Sequence, residues 1–124
     1  MATVDLTGDN FEKIITKNDF VIIDFWAPWC GPCQGFAPVY TDTSEKYPDI
    51  VFAKVNTEEQ QELGGHFQIR SIPTLMIFRE QVILYSEAGA MQASEFEKLI
   101  EQAKAVDMAD VHKQMAEQAA KSEA

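Results

Sequence analysis

Trp29-Cys30-Gly31-Pro32-Cys33 holds the only two cysteines of a 124-residue chain, three positions apart. The run before it, Phe20-Val21-Ile22-Ile23-Asp24-Phe25-Trp26-Ala27, is mostly apolar and β-branched or aromatic, and predicts a buried strand. A helix is expected after it, opened by Pro32, whose missing N–H suits the first helical position. A Cys-x-x-Cys pair carried from a strand into a helix start reads as a dithiol/disulfide redox site. Only the ionised sulfur attacks. A helix N-terminus, with unpaired N–H groups and a partial positive charge, favours an anion there. Cys30 is therefore expected to be the acidic, attacking thiol. Cys33, one turn into the helix, should be more buried and act second. Gly31 adds no side chain to shield Cys30.

The composition bounds the rest. The length suits one domain with a real core. Apolar residues make up 46%, so the chain is globular. Twenty acids against ten Lys and Arg leave −10 at pH 7, which argues against nucleic acid or an anionic membrane as partner. No apolar run of about 18 residues is present, so no membrane span is expected. The start, Met1-Ala2-Thr3-Val4-Asp5-Leu6, has no basic segment followed by an apolar stretch. A cytoplasmic protein is expected on that ground. Two cysteines fall short of the four ligands of a structural zinc site, and His66 and His112 have no partner at metal spacing, so no metal site is expected.

Working outward, residues 3–6 could form an edge strand. Asp9, three before Glu12, suggests a capping box for a brief helix with Phe11, Ile14 and Ile15 on one face. Asp24 stands inside the apolar strand, where a carboxylate is costly without a partner and burial raises its pKa. The alternative is an Asp on a wet strand face. The long helix contains Pro38, expected to kink it, and ends at Pro48-Asp49. Ile50-Val51-Phe52-Ala53-Lys54-Val55-Asn56 is the next strand, completing a β-α-β crossover with the cysteines at its first strand-to-helix junction, where open sheets bind ligands. Lys54 is its lone cation, by itself readable as a snorkelling edge lysine. Thr57, three before Gln60, suggests a second cap. Thr74 to Phe78 and Gln81 to Ser86 pattern as an antiparallel hairpin. Phe96, Leu99, Ile100 and Ala103 mark a last core helix. Met108, Val111, Met115 and Ala119 mark a weak amphipathic helix, or else a frayed tail.

The segment Trp29 to Cys33 resembles the thioredoxin active-site signature, and Ile72-Pro73-Thr74 resembles a second thioredoxin motif. The resemblance implies an α/β thioredoxin fold, a central mixed sheet flanked by helices in the order βαβαβαββα, over residues 1–105. Residues 106–124 would be a C-terminal extension. It implies a protein-disulfide reductase, a lowered thiol pKa at Cys30, and Asp24 as a buried acid that assists proton transfer at Cys33 and pairs with Lys54. It further implies a cis Pro73 facing the cysteines, an Ile72 backbone that pairs with an extended partner strand, and a Gly close to the site, at Gly89-Ala90. Trp29, Gly31, Pro32, Ile72, Pro73, Gly89 and Ala90 would then form the site loop and an apolar docking patch, with Trp26 packed beneath.

No bound cofactor is implied. Reducing equivalents would come from NADPH through a flavin thioredoxin reductase, and the substrates would be disulfide-containing proteins. A monomer is expected. Four departures from the family pattern stand out: Gln34 where Lys is common, Gly35 where an apolar residue is usual, Thr57 where an apolar residue is frequent, and Arg79-Glu80-Gln81 where the hairpin turn usually contains Gly. Gly35 costs a helix about 1 kcal/mol against Ala. A non-catalytic binding module on the same fold is one alternative, but it would not need an intact Cys pair. A disulfide oxidase or isomerase is another, and the Gly-Pro between the cysteines resembles the reducing members instead.

Overall fold

The computed structural model describes residues 3–123, which run as β1 (Thr3–Asp5), α1 (Phe11–Lys17), β2 (Phe20–Trp26), α2 (Gly31–Lys46), β3 (Val51–Asn56), α3 (Gln61–His66), β4 (Thr74–Arg79), β5 (Val82–Ala88), α4 (Ala93–Lys104) and α5 (Met108–Glu123). This is the implied order with one helix added. The strands form a single mixed sheet in the order β1-β3-β2-β4-β5. β2 lies parallel to β3 and antiparallel to β4.

β2 is central because its side chains have no wet face: Val21 to Phe25 are all buried. The strand period of two divides them between two cores. Ile22 packs with Phe36 and Tyr40 of α2, Phe52, and Phe96 and Ile100 of α4. Val21, Ile23 and Phe25 pack on the other side with Ile15, Val55 and Met76. By the same alternation Asp24 and Trp26 share the Ile22 face, the one α2 covers. The Tyr40 hydroxyl lies 2.9 Å from the Ile22 carbonyl and 2.6 Å from that of Ala53, tying α2 to both central strands. α2 runs unbroken from Gly31 to Lys46 with Pro38 inside it.

Two helix starts differ from expectation. Asn10, not Asp9, is the N-cap of α1, and it makes no capping bond. Its amide instead closes the loop after β1, accepting from Thr7 N at 2.7 Å and donating to Asp5 O at 3.0 Å. Thr57 does not cap α3 either. Its hydroxyl and its N–H both donate to the Trp26 carbonyl, at 3.0 and 2.8 Å, so the helix begins later, with Gln60 as N-cap.

The β4–β5 hairpin closes in two residues. Arg79 pairs with Val82, and Glu80 and Gln81 between them have φ of 50° and 68°. Positive φ at both central positions is the tight hairpin turn whose twist suits flanking strands, made here without glycine. The register shifts between Ile77 and Phe78, leaving Leu84 as the extra residue on β5. Arg79 Nη1 donates to the carbonyls of Ala103, Lys104 and Val106, at 3.1, 3.2 and 3.0 Å, satisfying the end of α4. His112 of α5 meets Glu80 at 3.0 Å. Residues 108–123 are helical, but their apolar stripe is only partly covered: Met108 is buried, Val111 half-buried, and Met115 is 49% exposed.

Candidate active site

Cys30 and Cys33 are joined in a disulfide, with Cα atoms 5.2 Å apart. The strand-to-helix junction places them. β2 ends at Trp26, and α2 begins at Gly31 with Cys30 as its N-cap. Gly31 is thus the first helical residue and Pro32 the second, one position later than expected. The Cys33 N–H points at Cys30 Sγ, 3.2 Å away. A helix N-terminal donor aimed at this sulfur is the feature that favours its thiolate when the pair is reduced. Ala27, Trp26 and Ile72 pack around the pair.

In this oxidised form Cys30 is 5% exposed and Cys33 2%. Both residues are buried, and the difference between them is smaller than the sequence suggested. Trp29, Gly31 and Pro32 around them are exposed, Trp29 at 67%. Apart from its chain neighbours and its own helix backbone, nothing among the described residues lies within 4 Å of the space a Gly31 side chain would take.

The Ile72–Pro73 bond is cis, and the Ile72 carbonyl lies 3.7 Å from Cys30 Sγ. Pro73 is buried, and its carbonyl accepts from Gly89 N at 2.8 Å. Gly89 has φ of 115°, a backbone region that L side chains rarely adopt. Gly89 and Ala90 are both exposed. A cleft of about 270 Å³ opens beside Trp29 and Ile72, lined also by Thr57, Gly64 and Ile69.

Asp24 is 1% exposed, and neither of its oxygens has a hydrogen-bond partner among the described residues. Burial pushes its carboxyl from 3.8 up to about 7, against the pull of the Lys54 ammonium. Lys54 is the Cα partner of Asp24 in the β2–β3 ladder. Yet its Nζ makes no hydrogen bond to that carboxylate and lies 4.8 Å from the centroid of the Trp26 ring. The expected contact is therefore an interaction through space, since the aromatic face holds the cation. The Trp26 indole N–H is also buried without a partner among the described residues. A carboxyl that titrates near neutrality, on the face α2 covers, is suited to moving a proton.

Sequence reasoning missed three contacts. Glu58 accepts from the Trp29 indole N–H at 2.5 Å, Gln34 donates through Nε2 to the Pro28 carbonyl at 2.7 Å, and Tyr40 bridges the central strands. The departure at position 34 was a signal, while Glu58 gave none. His66 stacks edge-on against Phe67. Among the described residues no group of three or more His, Cys, Asp or Glu is placed to hold a metal.

A model of the thioredoxin family matches residues 2–102. The chain is 51% identical over 121 residues to putative thioredoxin 2 of Streptomyces coelicolor, covering 98% of this chain and 90% of that one. It is 36% identical over 103 residues to thioredoxin C-3 of Corynebacterium nephridii, covering 82% and 71%. The solved thioredoxin of Plasmodium falciparum superposes with a TM-score of 0.75 at 36% identity, covering 81% of this chain and 98% of that one.

Proposed function

From the premise that this chain belongs to the thioredoxin family and is a protein-disulfide reductase using the Cys30–Cys33 couple, we propose which groups carry each step and where the electrons come from. Cys30 thiolate attacks one sulfur of a target disulfide. The Cys30–target bond forms as the target bond breaks, and the first target thiolate leaves. Cys33 then gives its proton to Asp24 and attacks Cys30 Sγ. The second target thiolate leaves, two electrons have passed to the target, and the Cys30–Cys33 bond has formed. Lys54 limits how far the Asp24 carboxyl rises. The observation that carries this assignment is Cys30 at the N-cap of α2, its sulfur facing the Cys33 N–H, beside exposed Trp29.

Targets dock on Trp29, Gly31, Pro32, Ile72, Pro73, Gly89 and Ala90, an extended segment pairing with the Ile72 backbone. The family carries no bound cofactor. The electrons come from NADPH through a flavin thioredoxin reductase, and the chain works in the cytoplasm as an electron carrier. A monomer is the working state. Among the described residues no helix is long and apolar enough to cross a membrane. Residues 1–105 form the reductase domain and 106–124 an appended helix. The alignment with the Streptomyces relative covers 98% of this chain, which supports reading that helix as a shared feature.

The test is reduction of insulin disulfides with NADPH and a thioredoxin reductase. Turnover by the intact chain and its loss in Cys30→Ser support the assignment. Turnover that survives Cys30→Ser removes Cys30 from its role, and turnover with dithiothreitol but none with NADPH and the reductase removes the electron source. A chain ended after residue 105 retains turnover if the domain reading holds.

A further inference from the structure

We propose that Gln34 is a positioning residue for target docking: its side-chain N–H holds the Pro28 carbonyl and so fixes Trp29 beside Cys30. This rests on the reductase reading above. One residue spans both ends of the tripeptide 28–30. The Gln34 backbone N–H donates to the Cys30 carbonyl at 3.1 Å, and its side-chain Nε2 donates to the Pro28 carbonyl at 2.7 Å. A carbonyl only accepts, so the amide nitrogen must be the atom that faces it. The Pro28 carbonyl belongs to the peptide leading into Trp29, and its direction sets where the Trp29 side chain starts. Trp29 is 67% exposed and is held elsewhere by the Glu58 carboxylate at 2.5 Å. Its ring therefore has one anchor at the indole and one at the backbone, and Gln34 supplies the second.

The Gln34 bond lies at the surface, so water can replace it at the carbonyl and folding depends little on it. What water cannot replace is the fixed direction. A bulky target feels the Trp29 wall, whereas a small disulfide reaching Cys30 does not. A lysine here could also donate to the same carbonyl, while methionine keeps the length and loses the donor.

The experiment compares wild type, Gln34→Met and Gln34→Lys, with Cys30→Ser as a blank, on insulin and on hydroxyethyl disulfide. Gln34→Met is expected to raise KM for insulin about fivefold, with kcat within about twofold, the range of one lost surface hydrogen bond. Its rate on hydroxyethyl disulfide stays at the wild-type value, and Gln34→Lys restores the insulin KM. Equal KM for Gln34→Met and wild type overturns the proposal. So does an equal loss on both substrates, which marks an effect on the thiol, or a Gln34→Lys variant as impaired as Gln34→Met. An inactive wild type instead refutes the reductase reading, so the two failures are told apart.

Discussion

The two ends of the sheet differ in how far their polar groups find partners. Where β2 runs out toward Cys30, Asp24 and the Trp26 indole are buried without hydrogen-bond partners among the described residues. Where β4 turns into β5, six residues from Pro73, Arg79 gives one nitrogen to three carbonyls while its Nε is buried without a partner among the described residues, and Glu80 meets His112 at the surface. The first end tolerates an unfavourable arrangement that makes a carboxyl titrate near neutrality. The second accepts positive φ at Glu80 and Gln81 and supports it with contacts.

Removing either sulfur breaks the comparison most severely. Cys30→Ser and Cys33→Ser each take steady-state insulin reduction to background, while Arg79→Ala leaves it unchanged. The Asp24 substitution is next in size. Its carboxyl sits at about 7 in the fold against 3.8 in the free side chain, so between those values the native state holds more protons than the unfolded one. Stability from this group therefore falls as pH rises from about 4 to 7, and its full cost is felt above 7. Asp24→Ala is expected to stabilise the protein by about 2–4 kcal/mol at pH 8 and by nothing at pH 3, while slowing release of the target from the mixed disulfide. Urea melts across pH check the first part, and stopped-flow measurement of the second thiol step checks the other. A flat difference between pH 3 and pH 8 would show that Asp24 ionises as freely in the fold as outside it.

At the far end the expected effects are smaller. Arg79→Ala exposes the end of α4 and costs about 2 kcal/mol in denaturant melts, with no pH dependence like that of Asp24. Gln81→Gly, which relieves one left-handed residue and leaves the Glu80–His112 contact in place, should gain about 0.5–1 kcal/mol. A loss on Gln81→Gly would mean that the turn is held by something other than its backbone.

What was legible in the sequence follows the same division. The central strand, the cysteine pair and Asp24 could be read because each is a local pattern or a local anomaly: an apolar run, a spacing of three, a charge in the wrong place. The hairpin existed in the pattern, but its turn type did not, since Glu80 and Gln81 carry none of the usual turn chemistry. Asp9 read as a cap because Glu12, three residues on, completed a familiar spacing. In the fold, the Asn10 amide serves the loop after β1 instead. The partners of Arg79 and Trp29 lie 24 to 29 residues away in sequence, beyond the reach of any periodicity. The resemblance paired Lys54 with Asp24, and the β2–β3 register does set them opposite each other, yet the Trp26 ring decides where the ammonium rests.

The central claim is that Cys30 attacks the target and Cys33 resolves the resulting bond. Mass spectrometry of the reduced Cys33→Ser protein mixed with an oxidised target tests it most directly. The account predicts a one-to-one covalent adduct through Cys30 that persists until a reductant is added, and none with Cys30→Ser. An adduct formed by Cys30→Ser through Cys33, with none in Cys33→Ser, would contradict it.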